Sequence, residues 1–325
     1  MKQILFILFV ALFISSCEKQ NSPSSFYEFL RSRNVNKVLI SDNKLWVISS
    51  NPQGLSEIPM LPECQVSVLN LKNNDFLVNS KMPSIMSFAL DKNGRIYLAT
   101  YDGRVISLNE DLTYEDYFKI PNLGSIQSIL FDQNNNLWVA SGSKGLISYD
   151  GTTTKVYDST NSILKTNYAS PLVMDSKSTI WFMPRNDLFM IDNTGKIIKD
   201  IYPFPLLNEF VPYWLSVDKN NTLFISKWDR YTERIYKRIE NSGWIEVAPP
   251  KSYNHRPVKF IKSDSNGTIW IVYSNYPKDI SAYYESGKWN EIQLPLDVTN
   301  IFDIETYHND IILGTPQGIY RTTFK

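Results

Sequence analysis

The stretch Asp-Gln-Asn-Asn-Asn-Leu-Trp-Val at residues 132–139 is one copy of a motif that recurs along the chain. In most copies an apolar strand ends at an Asp, a polar turn follows, and an apolar residue then precedes an aromatic one. Four other copies keep the aromatic residue six positions after the Asp; these residues are Tyr97, Trp181, Phe224 and Trp270. Two copies have a turn that is two residues shorter and place Trp46 and Ile312 at the same position.

The seven copies recur at intervals of about 43 residues, which is typical of the four-stranded blade of a β-propeller. The sequence therefore predicts an all-β fold, a seven-bladed β-propeller over residues 26–325. Two unrelated β-sandwiches are the alternative, but they would not keep one register through seven copies. The last copy supplies only three strands. Because an open sheet edge invites aggregation, we expect Phe26–Leu30 to be an N-terminal strand that closes the last blade.

The bulk composition is that of an ordinary globular protein. Hydrophobic residues make up 43% of the chain and charged residues 20%, and the 33 basic residues balance the 33 acidic ones. No run of like charge marks a nucleic-acid surface, so we expect no nucleic acid partner. We also expect a monomer that carries no cofactor.

The first 16 residues have the pattern of an export signal. Lys2 precedes the apolar run from Ile4 to Ile14, and small residues then lead to Cys17. A membrane-spanning helix needs about 20 apolar residues, so this run is too short to be one. An ordinary secretory signal that happens to end beside a cysteine is the alternative.

The residues Phe13-Ile14-Ser15-Ser16-Cys17 resemble the lipobox of bacterial lipoproteins. The resemblance implies that residues 1–16 are removed, that the Cys17 thiol carries the lipid (palmitate and related acyl chains), and that residues 17–25 form a tether to the membrane. Glu18 in place of an Asp implies the outer membrane, with the chain facing the periplasm or the outside. Cys64 would then have no partner, so we expect no disulfide.

The motif Asp-x-x-(Asn/Gly)-x-(Leu/Ile)-Trp-(Val/Ile) resembles the two-component regulator propeller repeat. The best copies are Asp132 to Val139, followed by Gly145-Leu146, and Asp264 to Ile271. In that family such propellers are periplasmic sensors that often read oligosaccharides. The sequence contains no kinase domain, so only ligand binding, to a glycan or an envelope protein, is carried over as an expectation.

A propeller has two faces, and the sequence favours one of them for ligand binding. The connection face carries the outer-to-inner and second-to-third connections, and the hairpin face carries the other turns. Loops of the connection face are long and rich in aromatic, Arg and His residues, which suit a sugar or a peptide. Packing in the core is the alternative for Trp214 and some tyrosines. The predicted ligand-binding residues are Tyr168, Arg185, Trp214, Trp228, Arg230, His255 and Tyr276.

Three further chemistries are less well supported by the residues. The repeated aromatic residues could form a sugar-stacking ladder, but packing between blades explains one recurring position better. The Asp turns lack the closing acid of a calcium loop, so we expect hairpin turns and no metal. Streptogramin lyases, which resemble this chain in architecture, use histidine, glutamate and magnesium. His255 and His308 fall on opposite faces, so we assign no catalytic residue and keep a degenerate lyase-type enzyme as the alternative function.

Lipidation of Cys17 can be tested directly. With an azide-tagged palmitate supplied in culture, we expect the wild-type chain to be labelled and to sediment with membranes. Cys17→Ser should lose both properties, because only a thiol forms the thioether to the lipid. Cys64→Ser is the matched control and should keep both. Labelling that survives Cys17→Ser would contradict the lipobox interpretation.

Overall fold

A computed structural model describes most of the propeller region. It describes residues 18–20, 30–31, 33–50, 64–121, 123–184, 187–192, 194–199, 214–228, 233–239, 243–248, 257–273, 280–292, 298 and 300–323. These residues form 28 β-strands and, over the same ranges, no helix. Among these described residues there is therefore no helix that is long and apolar enough to cross a membrane.

The strands β2–β28 form seven antiparallel sheets in chain order. Blade 1 contains β2 (Asn34–Ser41), β3 (Lys44–Ser50), β4 (Cys64–Asn70) and β5 (Phe76–Met82). Blade 2 contains β6 (Ile85–Leu90), β7 (Ile96–Thr100), β8 (Arg104–Leu108) and β9 (Tyr114–Lys119). Blade 3 contains β10 (Ile126–Phe131), β11 (Leu137–Ser141), β12 (Leu146–Tyr149) and β13 (Thr154–Tyr157). Blade 4 contains β14 (Leu172–Met174), β15 (Ile180–Phe182), β16 (Phe189–Ile191) and β17 (Ile197–Lys199).

The remaining blades follow the same plan. Blade 5 contains β18 (Leu215–Val217), β19 (Leu223–Trp228), β20 (Glu233–Ile239) and β21 (Gly243–Val247). Blade 6 contains β22 (Val258–Ser263), β23 (Ile269–Tyr273), β24 (Ile280–Glu285) and β25 (Lys288–Glu291). Blade 7 contains β26 (Asp303–Tyr307), β27 (Asp310–Thr315) and β28 (Gly318–Thr323). The first strand of each blade contacts the first strand of a neighbouring blade, so these strands surround a central axis. The predicted seven-bladed propeller is confirmed.

The Asp of the repeated motif organises the turn between the first and second strands. In blade 3, Asp132 Oδ1 accepts hydrogen bonds from the backbone N–H groups of Asn134 and Asn136, both at 2.9 Å. The same pair of bonds forms at Asp91, Asp175, Asp218 and Asp264. This is the turn chemistry that the sequence predicts, in which a side chain satisfies nearby backbone donors.

The second oxygen of the Asp explains why the aromatic residue is so often Trp. The indole Nε1–H of Trp138 donates to Asp132 Oδ2 at 3.0 Å. Trp181 donates to Asp175 at 3.3 Å and Trp270 to Asp264 at 2.8 Å. A buried indole N–H that found no acceptor would cost free energy, and the turn Asp provides that acceptor six residues upstream.

The aromatic residues of the motif pack between blades, as predicted. Tyr97, Trp138, Trp181, Phe224 and Trp270 are all buried. Each of the seven hydrophobic clusters joins two neighbouring blades; one, for example, combines Trp138 of blade 3 with Phe182 and Phe189 of blade 4. Burial of one such side chain stabilises the fold by about 2–3 kcal/mol.

The hairpin face is tied together around the ring. Side chains and backbone groups of neighbouring turns form hydrogen bonds across six of the seven interfaces between blades. The bonded pairs are Lys92–Asn135, Gln133–Ser176, Ser176–Asn221, Lys219–Gly267, Asn266–Thr306 and Tyr307–Asn43. This belt fixes the blades relative to one another on the face that carries the short turns.

Blade 7 meets blade 1 in very close contact. A Cβ added at Gly314 would lie 2.7 Å from the carbonyl oxygen of Val35, and one at Gly318 would lie 2.6 Å from that of Leu30. Leu30 is itself fully buried and packs with Ile312. Glycine is therefore required at both positions for the ring to close.

The N-terminal part of the chain is described in pieces. Strand β1 (Glu18–Gln20) pairs antiparallel with β5, so three residues of the predicted tether extend the sheet of blade 1. Leu30, the last residue of the predicted closing strand, lies in a turn beside β28. Residues 26–29 of that strand lie outside the described residues, and closure of blade 7 by Phe26–Leu30 stays a prediction.

The turn Asp residues allow a matched test of stability. Asp264 also accepts the Thr306 hydroxyl at 2.6 Å, so Asp264→Ala removes four hydrogen bonds, two of them from the buried Trp270 and Thr306 side chains. Asp218 accepts the amides of Asn220 and Thr222 but faces Phe224, which has no donor. In urea denaturation, we expect Asp264→Ala to lower the free energy of unfolding by about 2 kcal/mol more than Asp218→Ala. Equal losses would show that the indole and hydroxyl bonds contribute little.

Candidate functional site

Two of the seven predicted ligand-binding residues have described side chains. Tyr168 lies in the connection between blades 3 and 4 and is half-buried. Trp214 begins blade 5, packs against the hydrophobic clusters on the two sides of blade 6, and contacts Phe260 edge-on with ring centroids 6.3 Å apart. The structure thus gives Trp214 the packing role that the sequence left open, and its role in ligand binding stays a prediction.

The other predicted residues are described less fully or not at all. Trp228 ends β19 at the connection face, where the prediction put it, but only its backbone is described. Arg185, Arg230, His255 and Tyr276 lie outside the described residues, as does Cys17. His308 lies in the hairpin turn between β26 and β27, against the Tyr307 ring, which is the face that the sequence predicts for it.

A β-bulge recurs near the start of the innermost strands, close to the connection face. The pairing of the first and second strands skips one residue in blades 1, 2, 3 and 6; the skipped residues are Asn36, Met86, Gln127 and Lys259. In blade 7, the Phe302 N–H donates to Gly314 O, and Gly314 also pairs with Asp303. At the same place in blade 4, the Ser170 N–H donates to Met183 O. Bulges interrupt the alternation of side chains and often lie beside functional sites.

The residues at this place in these six blades differ in chemistry from one blade to the next. We call Asn36, Met86, Gln127, Ser170, Lys259 and Phe302 the bulge ring. The residues directly before them are uniformly small or apolar and are buried or nearly so: Val35, Ile85, Ile126, Ala169, Val258 and Ile301. One position is therefore constrained by packing in every copy, while the next carries a different side chain in each.

The side chains of the bulge ring reach neighbouring polar groups. The Lys259 ammonium contacts Asn300 Oδ1 and lies 5.6 Å from the centre of the Phe302 ring. Gln127 donates to the Ser125 hydroxyl at 2.8 Å, and Asn36 donates to that of Ser50 at 3.0 Å. Met86 is 37% exposed although it lies on an innermost strand. The ring thus combines an ammonium group, two amides and apolar surfaces around one axis.

Sequence reasoning missed the bulge ring because a bulge is a property of strand pairing. The stretch from Ile126 to Phe131 shows no insertion that would mark it. The sequence nevertheless contained a sign of it. An alignment of the seven copies would show a position that is always small or apolar, followed by a position whose residue type changes from copy to copy.

A buried ionic cluster lies deeper on the innermost strands of blades 6 and 7. Lys262 Nζ lies 2.9 Å from both Asp303 Oδ1 and Glu305 Oε1. It also donates to the carbonyl oxygen of Val38 at 3.2 Å, and the Val38 N–H donates to Asp303 Oδ2 at 2.9 Å. One lysine of blade 6 therefore links blade 7 to blade 1. The two carboxylates are buried, whereas the Lys262 side chain is 24% exposed.

Burial and charge act on these groups in a definite direction. Burial raises the pKa of Glu305, and the Lys262 ammonium only partly opposes this effect. The two carboxylates raise the pKa of Lys262 in spite of its burial. A lysine whose pKa is raised by folding stabilises the folded state at pH values below the ordinary lysine pKa. This stabilisation is lost as the pH rises through the lysine pKa of the folded state. The cluster therefore holds blades 6, 7 and 1 together at neutral pH and weakens in strong alkali.

The described residues include no group of three His, Cys, Asp or Glu side chains arranged to hold a metal ion. Lys262 occupies the space between Asp303 and Glu305, so these two carboxylates are held by an ammonium group. The ionic cluster is best described as a structural element.

Comparison with known proteins supports the fold. No family model matches the chain, and no curated protein matches it. A solved structure of virginiamycin B lyase from Staphylococcus aureus is similar, with 14% identity, a TM-score of 0.69, and coverage of 95% of this chain and 99% of the lyase.

Two other solved structures come from proteins of the cell surface. The extracellular domain of a hybrid two-component system of B. thetaiotaomicron shares 15% identity at a TM-score of 0.65, with 90% of this chain and 39% of that one covered. PorZ, a bacterial surface component of the type-IX secretion system of Porphyromonas gingivalis, shares 13% identity at a TM-score of 0.64, with 89% and 46% covered. The chain thus spans less than half of either. At these identities the likeness concerns the propeller fold alone.

The ionic cluster makes a testable prediction about pH. Lys262→Met leaves two buried carboxylates without their cation, so we expect it to lower the free energy of unfolding by about 3–5 kcal/mol at neutral pH. The pKa of Glu305 is raised further in this variant, so its stability should recover as the pH falls and Glu305 takes up a proton. Denaturant titrations at neutral pH and at about pH 5 measure both effects.

Glu305→Gln serves as the control for this experiment. It keeps the Lys262–Asp303 pair and an oxygen that can accept the Ser265 N–H, so its stability should stay within about 1 kcal/mol of the wild type at neutral pH. If Lys262→Met were as stable as the wild type at neutral pH, the cluster would not hold the junction.

Proposed function

We propose that this chain is a lipoprotein of the bacterial cell envelope whose propeller binds a ligand on its connection face without catalysing a reaction. The proposed ligand is an oligosaccharide or a partner protein. The observation that carries the proposal is the bulge ring. It sets six unlike residues around one axis, at or just before the start of innermost strands that pair with the second strand of their own blade.

The chemistry of the bulge ring suits a ligand that offers both hydroxyl groups and apolar surface. Lys259, Gln127 and Asn36 can donate hydrogen bonds, and Phe302 and Met86 offer apolar contacts. A site of this kind, in which a few polar groups orient a ligand on apolar surface, is typical of small-molecule binding. The predicted residues Tyr168, Trp228, Arg185, Arg230, His255 and Tyr276 would extend the site outward along the loops of the same face.

The envelope location is supported by sequence and by structural similarity. The lipobox at Cys17 predicts the membrane anchor, and Glu18 favours the outer membrane. The similar propellers of B. thetaiotaomicron and P. gingivalis are an extracellular domain and a surface component, which agrees with a place in the cell envelope or outside it. Periplasmic and outward-facing orientations are both compatible with the proposal.

A degenerate enzyme of the lyase type is the second candidate. It is favoured by one observation, the match of nearly the full length of this chain to virginiamycin B lyase. At 14% identity that match supports a shared architecture. Ligand binding without catalysis explains the varied side chains of the bulge ring and does not require catalytic residues to be assumed.

Substitution in the bulge ring tests the proposal. Full-length protein in detergent is titrated by calorimetry with tetrasaccharides of glucose, xylose, mannose and galacturonic acid. We expect at least one to bind, and we expect Met86→Arg to weaken that binding by about tenfold or more, because a long cation would fill the axis. Glu110→Arg, on an exposed hairpin-face turn of blade 2, is the matched control and should bind as the wild type does.

The contrary outcome is equally clear. If the bound sugar is unaffected by Met86→Arg and by a second ring variant, Gln127→Arg, the bulge ring is not its site. Absence of binding by all four sugars would restrict the proposal to a protein partner. A chemically cleaved product in these titrations would favour the enzyme.

A further inference from the structure

The interface between blades 3 and 4 contains an open groove on the hairpin face. Its volume is about 460 Å³, within the range of small-molecule sites. One wall comes from blade 3 and includes Ser148, Lys155 and Tyr157, and the other comes from blade 4 and includes Ile180, Ile191 and Thr194. The groove lies on the face opposite the bulge ring and is not part of the site proposed above.

Blade 4 has no aromatic residue at one position that borders the groove. The third strand of a blade has one residue that pairs with the apolar residue before the motif aromatic. This residue is Tyr149 in blade 3 and Ile191 in blade 4. Tyr149 packs against Tyr117 and Phe118 of blade 2, with ring centroids 5.7 and 5.0 Å away. Four rings, of Tyr97, Tyr117, Phe131 and Tyr149, thus fill the interface between blades 2 and 3. In blade 4 the smaller Ile191 occupies the corresponding place and lines the groove.

An aromatic platform lines the groove on the side of blade 3. The ring of Tyr157 is stacked on that of Trp138 with centroids 6.0 Å apart and planes 18° apart. The Trp138 indole is held in turn by Asp132, so the platform is fixed before any ligand arrives. A fixed aromatic surface can pack against the apolar face of a sugar ring at little cost in conformational entropy.

Two carboxylates lie at equivalent places on the two walls. Asp150 and Asp192 occupy the turns between the third and fourth strands of blades 3 and 4. All hydrogen bonds described for them are accepted by Oδ1, from backbone and hydroxyl groups of Thr152, Thr153, Thr194 and Lys196. These bonds, with a smaller effect of the Lys155 and Lys196 ammonium groups, lower the pKa of both groups, so both are ionised at neutral pH, and the second oxygen of each accepts none of these bonds. Ionised carboxylates accept strong hydrogen bonds from hydroxyl groups and disfavour an anionic ligand.

A second groove shows what distinguishes this one. The groove between blades 5 and 6 has a volume of about 530 Å³, but Lys237 donates to the Tyr284 hydroxyl at 3.0 Å and lies 5.3 Å from the centre of that ring. The aromatic surface there is already covered by an ammonium group. In the groove of blades 3 and 4, the stacked pair belongs to one wall and faces the small Ile180 and Ile191 side chains of the other.

We infer that the groove between blades 3 and 4 is a second binding site, which takes a short neutral oligosaccharide with a pyranose ring against Tyr157 and hydroxyl groups on Asp150 and Asp192. The belt of hydrogen bonds joins the two blades beside the groove through Gln133 and Ser176.

The decisive variant narrows the groove without removing any partner. Ile191→Tyr restores the residue that blade 3 carries at the equivalent position, so we expect the fold and the melting temperature to be kept. With the full-length protein in detergent, saturation-transfer NMR and calorimetry use neutral tetrasaccharides of glucose, xylose and mannose. We expect one of them to bind, and we expect Ile191→Tyr to weaken that binding by about tenfold or more.

Matched variants separate this site from the bulge ring. Asp150→Asn should weaken binding by about three- to tenfold, whereas Asp111→Asn should have no effect, since Asp111 makes the same turn with Thr113 in blade 2 but lies away from the groove. Met86→Arg should leave unchanged the part of the binding that Ile191→Tyr removes. Binding that is lost in Met86→Arg and kept in Ile191→Tyr would overturn this inference while supporting the function proposed for the bulge ring. Failure of all three neutral sugars to bind would overturn it as well.

Discussion

A ring of sheets closes only when the last sheet holds the first as firmly as every other neighbouring pair holds together. Here that junction combines close backbone contact with buried charge. Gly314 and Gly318 let the chain of blade 1 approach blade 7, and Lys262 reaches from blade 6 to the Asp303 carboxylate and the Val38 carbonyl. The Val38 N–H, on the free edge of an innermost strand, is satisfied by Asp303. Similar contacts from Ser87 to Ile129 and from Ser128 to Leu172 serve other inner edges.

The two faces of the propeller differ in how much their residues vary from blade to blade. Short turns on the hairpin face repeat one Asp-based geometry and are bonded to one another, so they tolerate little change. On the connection face, the bulges of blades 1, 2, 3 and 6 each release one residue of the innermost strand from the packing pattern, and that residue differs from blade to blade. The groove between blades 3 and 4 also lies on the hairpin face, and Ile191 lines it where blade 3 has Tyr149.

The repeat made the number of blades, the burial of the motif aromatics and the turn role of the Asp predictable from the sequence. Each depends on contacts within one repeat or between equivalent positions, which periodicity reveals. The bulges were not predictable, because Gln127 and Ser128 look like ordinary alternation until the pairing is known. The ionic cluster depends on groups about 41 residues apart. A sign of it was visible, since Lys262 and Glu305 occupy a position where blades 1 and 3 have Leu39 and Leu130.

Every hydrophobic cluster in the described part of the propeller draws on two neighbouring blades. A blade excised from the chain would therefore carry half of one cluster on each side and could not fold by itself. Deleting one blade would expose two half-clusters and change the angle at every remaining interface. Evolution of such a chain can alter loops and single inner-strand residues freely, whereas a change in the number of repeats requires the whole circle to be rebuilt at once.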